Sequence, residues 1–107
     1  SSVSSVKKGR GVVAYASAKA GLENFTRTLS QEVGKRNIRV NCVRPGVVAT
    51  TMSEALLSRS IEMIKEDTAL GRPGKPNEIS KAVLFLASNS ASSYMSGECI
   101  AIDGGLY

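Results

Sequence analysis

Cysteine is scarce in this chain, which holds only Cys42 and Cys99. Two residues so far apart cannot make a metal site of the C-x-x-C type, and no metal centre is expected. Each lies in an apolar, strand-like run, which predicts buried free thiols in a reducing compartment. Aromatic residues are equally sparse, with two Phe, three Tyr and no Trp. Little surface is therefore available for stacking nucleic-acid bases. Charge of one sign is not concentrated either. Fourteen Lys and Arg against nine Asp and Glu give a net +5, but the basic residues are spread from Lys7 to Lys81 without a dense block. This pattern predicts a solvated basic exterior rather than a nucleic-acid partner. Long hydrophobic runs are missing as well: Arg, Lys, Glu or Asn interrupts every apolar stretch before the roughly 18 residues a bilayer span requires. Ser1-Ser2-Val3-Ser4-Ser5 lacks the charged and apolar regions of a signal peptide. The expectation is a soluble chain with no membrane partner, most simply cytoplasmic, with mitochondrial or peroxisomal locations left open.

What is present is ordinary globular composition, 42% hydrophobic and 21% charged over 107 residues, enough for one small core. Ala14, Ala18, Leu22, Phe25, Leu29 and Val33 recur at steps of four and three, one apolar face of a helix that Gly34 can stop. Residues 38–43 include the β-branched Ile38, Val40 and Val43 and lead into Pro45-Gly46, so a strand running into a turn is predicted. Thr51-Met52-Ser53-Glu54 fits a capping box at the start of a short helix or helix pair reaching about Lys65. Pro76 suits a first helical turn, and Ile79, Ala82, Val83 and Leu86 give the helix after it an apolar face that fades near residues 88–90. Residues 99–102 are a continuous apolar run, as in a strand covered on both faces, and end at Asp103-Gly104-Gly105. Alternating helices and strands predict an α/β fold with a parallel sheet. Two buried parallel strands need neighbours, so the remaining strands are expected from chain preceding Ser1 or from a partner.

Tyr15 and Lys19 stand four residues apart at the start of the first helix, one turn apart on one face. An ammonium beside a phenol favours the phenolate, the tuning required of a general acid or base. An incidental surface pair has the same spacing, so the pair alone decides little.

Its surroundings add more. Tyr15-Ala16-Ser17-Ala18-Lys19-Ala20-Gly21 resembles the active-site helix of the short-chain dehydrogenases/reductases. Residues 41–50 resemble that family's N-x-V-x-P-G-x-x-x-T segment. Residues 71–79 and 82–88 resemble its next helix with the preceding loop, and Tyr94-Met95-Ser96-Gly97 with Asp103-Gly104-Gly105 resemble its closing strand and turn. The resemblance covers nearly the whole chain in the family's order. It implies the C-terminal part of a Rossmann-like, doubly wound parallel sheet whose N-terminal half is missing, with residues 1–107 belonging to one NAD(P)-binding domain.

The same resemblance implies roles. Tyr15 would give a proton to, or take it from, the substrate oxygen, and Lys19 would assist it and bind the nicotinamide ribose. Ser2 would hydrogen-bond the substrate oxygen, although Ser1, Ser4 and Ser5 are close by. Pro45, Gly46, the Val48 backbone and the Thr50 hydroxyl would line the nicotinamide. Arg44 departs from the small or apolar residue common before that proline, and its role stays open. The cofactor would be NAD or NADP, the substrate a carbonyl/alcohol couple, and the full-length enzyme a homodimer or homotetramer. The family's glycine-rich phosphate turn does not occur in this sequence, so the chain alone is expected to be inactive. A catalytically silent scaffold and a truncated product acting through its surfaces remain as alternatives.

Overall fold

The computed structural model describes residues 13–50 and 54–106, without the side chains of residues 54–60. Helix α1 (Val13–Val33) is followed by a 3-10 turn (Gly34–Arg36) and strand β1 (Cys42–Pro45). Helices α2 (Glu54–Asp67), α3 (Pro76–Ala87) and α4 (Asn89–Ser92) lead to strand β2 (Cys99–Ile102). The two strands are parallel and in register, Cys42 opposite Cys99 and Pro45 opposite Ile102. The predicted α/β order and parallel pairing are both present. Among the described residues no helix is long and apolar enough to cross a membrane.

Strand β1 lies further along the chain than residues 38–43. The Val40 N–H bonds the Ser96 hydroxyl (3.2 Å), and the Val40 carbonyl accepts the Gly97 N–H (2.6 Å), so loop 95–98 rather than a ladder holds the start of the predicted strand. Pro45 remains within the strand because the ladder bond at this end is donated by Gly46 N–H to the Ile102 carbonyl (3.0 Å). The missing proline N–H is therefore not needed. Asn41 fastens the same loop: its amide donates to the Met95 carbonyl (3.0 Å) and its oxygen accepts from Glu98 N–H (3.1 Å).

The cysteines do not conform to the expectation of free thiols. Cys42 and Cys99 form a disulfide with a Cα–Cα distance of 4.6 Å. They lie 57 residues apart, each in the apolar run from which a free thiol is expected. The crossover through three helices instead brings them opposite one another in the register.

Helix α1 also turns differently from its apolar pattern. Thr26 and Ser30 are its buried residues, while Leu22 and Phe25 are exposed. The buried hydroxyls are satisfied locally, Thr26 on the Leu22 carbonyl (2.9 Å) and Ser30 on the Arg27 carbonyl (2.6 Å). Gly97 sits directly against this face, where a Cβ would lie 2.7 Å from the Ser30 Oγ.

Helix α3 begins as predicted at Pro76, and Ile79, Ala82 and Leu86 are half-buried while Val83 stays exposed. The capping carboxylate is Glu78, which accepts the Lys75 N–H (2.8 Å). The proposed capping box at Thr51 lies outside the described residues. The other end of α3 is held by Arg39, which donates to the Leu86 carbonyl (2.7 Å), to Asn89 Oδ1 (3.1 Å) and to the Met95 carbonyl (3.2 Å). A cation at a helix C-terminus is favoured by the helix dipole.

Glu78 is also gripped by Arg72, with an N···O distance of 2.8 Å. The Arg72 hydrogen bond, with that from the Lys75 backbone, holds the Glu78 carboxyl down at about 2 against an ordinary 4.5. A lowered carboxylate pKa stabilises the fold above the ordinary value, and that contribution disappears as pH falls through the lowered one. In acid unfolding of the full-length protein, Glu78→Gln is therefore expected to flatten the loss of stability between about pH 4.5 and 2. An unchanged acid limb in the variant would contradict the pairing. Both side chains are substantially exposed, so salt should weaken the effect.

Candidate active site

Helix α1 presents Tyr15 on its first turn, about half exposed, and Lys19 one turn later. The Lys19 Nζ stands 5.3 Å from the centroid of the Tyr15 ring. The pair predicted from spacing is thus a contact between an ammonium and a phenol face. The residues between them, Ala16, Ser17 and Ala18, are small.

Glu23 continues the same face one turn beyond Lys19. Its Oε2 lies 3.7 Å from Arg44 Nη1, both side chains being largely covered. Arg44 immediately precedes Pro45, so this bridge sets the Tyr15/Lys19 helix against the Pro45-Gly46 turn. That contact supplies the role the sequence left open for Arg44. Its only advance signal was the departure from a small residue at that position.

The turn itself closes tightly on the end of β2. A Cβ on Gly46 would stand 2.8 Å from both Cα and Cβ of Asp103. Past the turn, residues 47–49 are extended against Gly74: Gly74 N–H donates to the Val47 carbonyl (2.8 Å), and Ala49 N–H donates to the Gly74 carbonyl (2.8 Å). Val48 and Gly74 form a parallel bridge. This arrangement fixes the peptide plane at Val48 and carries the chain to exposed Thr50. On the far side, Gly105, with φ +74, docks against residues 68–70; its carbonyl accepts Ala69 N–H, while the Gly104 carbonyl accepts Leu70 N–H, both at 3.0 Å.

Of the predicted site residues, the structure groups Tyr15 with Lys19 on one helix and Pro45, Gly46, Val48 and Thr50 on one continuous segment. The Glu23–Arg44 bridge joins the two sets. Ser2 lies outside the described residues. Asn41, Ser96 and Gly97, which belong to segments resembling the family's, tie loop 95–98 to the start of β1.

Gly46→Ala in the full-length protein should displace the turn, because the obstructing atoms include backbone. The expected result is destabilisation of about 1–3 kcal/mol, the usual range for overpacking. Urea unfolding of the variant checks it; a wild-type midpoint would show that the turn has slack.

A helix bearing Tyr-x-x-x-Lys beside a Pro-Gly turn, on a parallel two-stranded ladder, is the arrangement that the resemblance to the short-chain dehydrogenases/reductases implies. A family model described as enoyl-(acyl carrier protein) reductase matches residues 1–107. The chain belongs to the short-chain dehydrogenase/reductase family. It is 44% identical over 106 residues to the 3-oxoacyl-[acyl-carrier-protein] reductase FabG of Chlamydia trachomatis, covering 99% of this chain and 42% of that protein. It is 45% identical to carbonyl reductase family member 4 of Danio rerio, over 98% of this chain and 42% of that one. Among solved structures, a 3-oxoacyl-[acyl-carrier protein] reductase from Brucella melitensis superposes with a TM-score of 0.91 at 33% identity, over 100% of this chain and 40% of its own. A 4-hydroxyisoleucine dehydrogenase complexed with NADH gives 0.90 at 34%, over 98% and 44%. The chain thus spans less than half the length of the curated relatives it matches.

Proposed function

We propose that this chain is the C-terminal part of a single NAD(P)-binding Rossmann-like domain, in an enzyme that moves a hydride between a nicotinamide cofactor and a carbonyl/alcohol substrate. The observation that carries the reading is the contact of Lys19 with Tyr15 on a helix anchored beside the Pro45-Gly46 turn. The donor set suits the nicotinamide end of the cofactor. A phenol and an ammonium on one helix match a ribose diol, while the Val48 backbone and the Thr50 hydroxyl match a carboxamide. When bound, the cofactor supplies or accepts the hydride.

The chain's own residues do the rest. Tyr15 holds the proton that passes to or from the substrate oxygen, Lys19 keeps the phenol oriented, and the Pro45–Thr50 segment positions the ring. Ser2 is assigned to the substrate oxygen by family resemblance alone. Reduction of a ketone, with a 3-oxoacyl thioester as the first substrate class, is favoured by the names of the relatives at 44–45% identity. The full-length enzyme is proposed to be soluble and a homodimer or homotetramer, and the isolated chain to be inactive.

The test is an assay of the full-length protein with NADH and NADPH against acetoacetyl thioester and a panel of ketones, sugars and steroids. Turnover that depends on Tyr15 is the expected result. No turnover of any member, with either cofactor, would favour a silent scaffold.

A further inference from the structure

We propose that Cys42 and Cys99 form a reversible dithiol/disulfide site that fastens β1 to β2 ahead of the Pro45-Gly46 turn, making the hold on that turn responsive to thiol–disulfide exchange. The two residues are Cα partners in the parallel register, with the Cys42 N–H bonded to the Glu98 carbonyl (2.8 Å). Their 4.6 Å Cα separation falls within the range that disulfides span. Backbone pairing sets this spacing, so the two cysteines stay within disulfide range whether or not the bond is made. Both residues are half-buried.

The location gives the bond a consequence. Cys42 and Arg44 alternate onto the same face of β1, and Arg44 reaches Glu23 of α1 from that face. The crosslink therefore lies on the face of β1 from which Arg44 meets α1. The ladder runs only from Cys42 to Pro45 and ends in the Gly46-to-Ile102 bond. Oxidised, it is closed covalently at its entry; reduced, it relies on hydrogen bonds alone to keep Gly46 against Asp103.

The exchange balances with a low-molecular-weight or protein disulfide as oxidant. One cysteine thiolate attacks that disulfide, breaking its S–S bond, forming a mixed disulfide and releasing one thiolate. The second cysteine thiolate then attacks the protein-bound sulfur, forming the Cys42–Cys99 bond and releasing the other thiolate. The protein loses two electrons and two thiol protons, and the oxidant leaves as two thiols. A dithiol reductant reverses both steps.

The bond and its reversibility stand on geometry alone, whereas the effect on turnover rests on the function proposed above. The experiment treats folded full-length protein with oxidised glutathione or with dithiothreitol, alkylates free thiols and measures the Cys42 and Cys99 peptides by mass spectrometry. Both cysteines should be protected from alkylation after oxidation and both labelled after reduction, with recovery on re-oxidation. The oxidised form should melt roughly 10 °C higher, as closure of a loop of this length implies for a domain of the relatives' size. Cys42→Ser and, separately, Cys99→Ser should abolish the redox dependence of the melting temperature.

For turnover, reduction should raise the KM for the nicotinamide cofactor more than it lowers kcat. Labelling of both cysteines after oxidation, or protection that persists in dithiothreitol, would overturn the site. Exchange at both cysteines with identical kinetics in the two forms would overturn its coupling to the turn. An enzyme inactive in both forms while the peptides still exchange would count against the proposed function and leave the redox site supported.

Discussion

Tyr15→Phe in the full-length protein is expected to lower kcat for reduction of an acetoacetyl thioester by about 10²- to 10⁴-fold, the usual contribution of a positioned proton donor. The substitution removes one oxygen and leaves the ring on which Lys19 rests at 5.3 Å. It leaves the packing of α1 almost untouched, because that helix buries Thr26 and Ser30 rather than Tyr15. Melting temperature should therefore stay near wild type, while cofactor affinity should fall by no more than the loss of one ribose hydrogen bond, about 0.5–1.5 kcal/mol. That separation distinguishes a lost proton donor from a damaged fold. Residual activity within tenfold of wild type would mean that another group supplies the proton, and the candidate site would have to be redrawn.

Much of the architecture was legible in the sequence because it depends on local rules. Pro76 at a helix start, Gly34 at a helix stop and the apolar run at residues 99–102 each act within a few residues. Pairing over long separations was not legible. The Cys42–Cys99 bond, the Glu23–Arg44 bridge and the Arg39 contacts on the end of α3 join residues from different elements, and only the crossover brings them together. The start of β1 was misplaced for the same reason. The β-branched Ile38 and Val40 look like part of a strand, but the groups that bond Val40 belong to Ser96 and Gly97.

The site divides similarly. Tyr15 and Lys19 are one turn apart on a single helix, so spacing alone brings them together. Pro45, Gly46, Val48 and Thr50 are consecutive enough to share a segment. That the two groups are neighbours depends on Arg44, whose side chain does what its unusual identity in the motif only hinted.

Helix α1 is the instructive case. Periodicity identified an apolar face running through Leu22, Phe25, Leu29 and Val33, yet the helix rests on its hydroxyl-bearing side against Gly97 and leaves Leu22 and Phe25 exposed. A face rich in apolar groups is stable when it is covered, and the covering element is not among the described residues. Helix α3 repeats the pattern, with Val83, Leu84 and Phe85 exposed.

Residues 1–107 expressed alone should accordingly show no cooperative thermal transition and no measurable NAD(P)H binding. Among the described residues, Ile64 is the one buried apolar side chain, at 5% exposure, while Phe25 is 58% and Leu84 70% exposed. Covering a side chain of that size is worth about 1.5–3 kcal/mol. Ordering the backbone costs roughly 1–2 kcal/mol per residue, so a chain that leaves these groups in water lacks the main force offsetting that entropy. The disulfide reduces the entropy of the unfolded chain but buries no apolar surface. The two-stranded ladder offers unpaired backbone edges for aggregation. Binding should fail for a separate reason: a nicotinamide held only through Lys19 and the Pro45–Thr50 segment has no glycine-rich turn for its pyrophosphate. Circular dichroism melting and fluorescence titration of NADH check the two halves of this expectation independently. A sharp melt would show that the α1, α3 and β-ladder contacts suffice for a fold, and saturable NADH binding would show that the nicotinamide segment suffices for recognition.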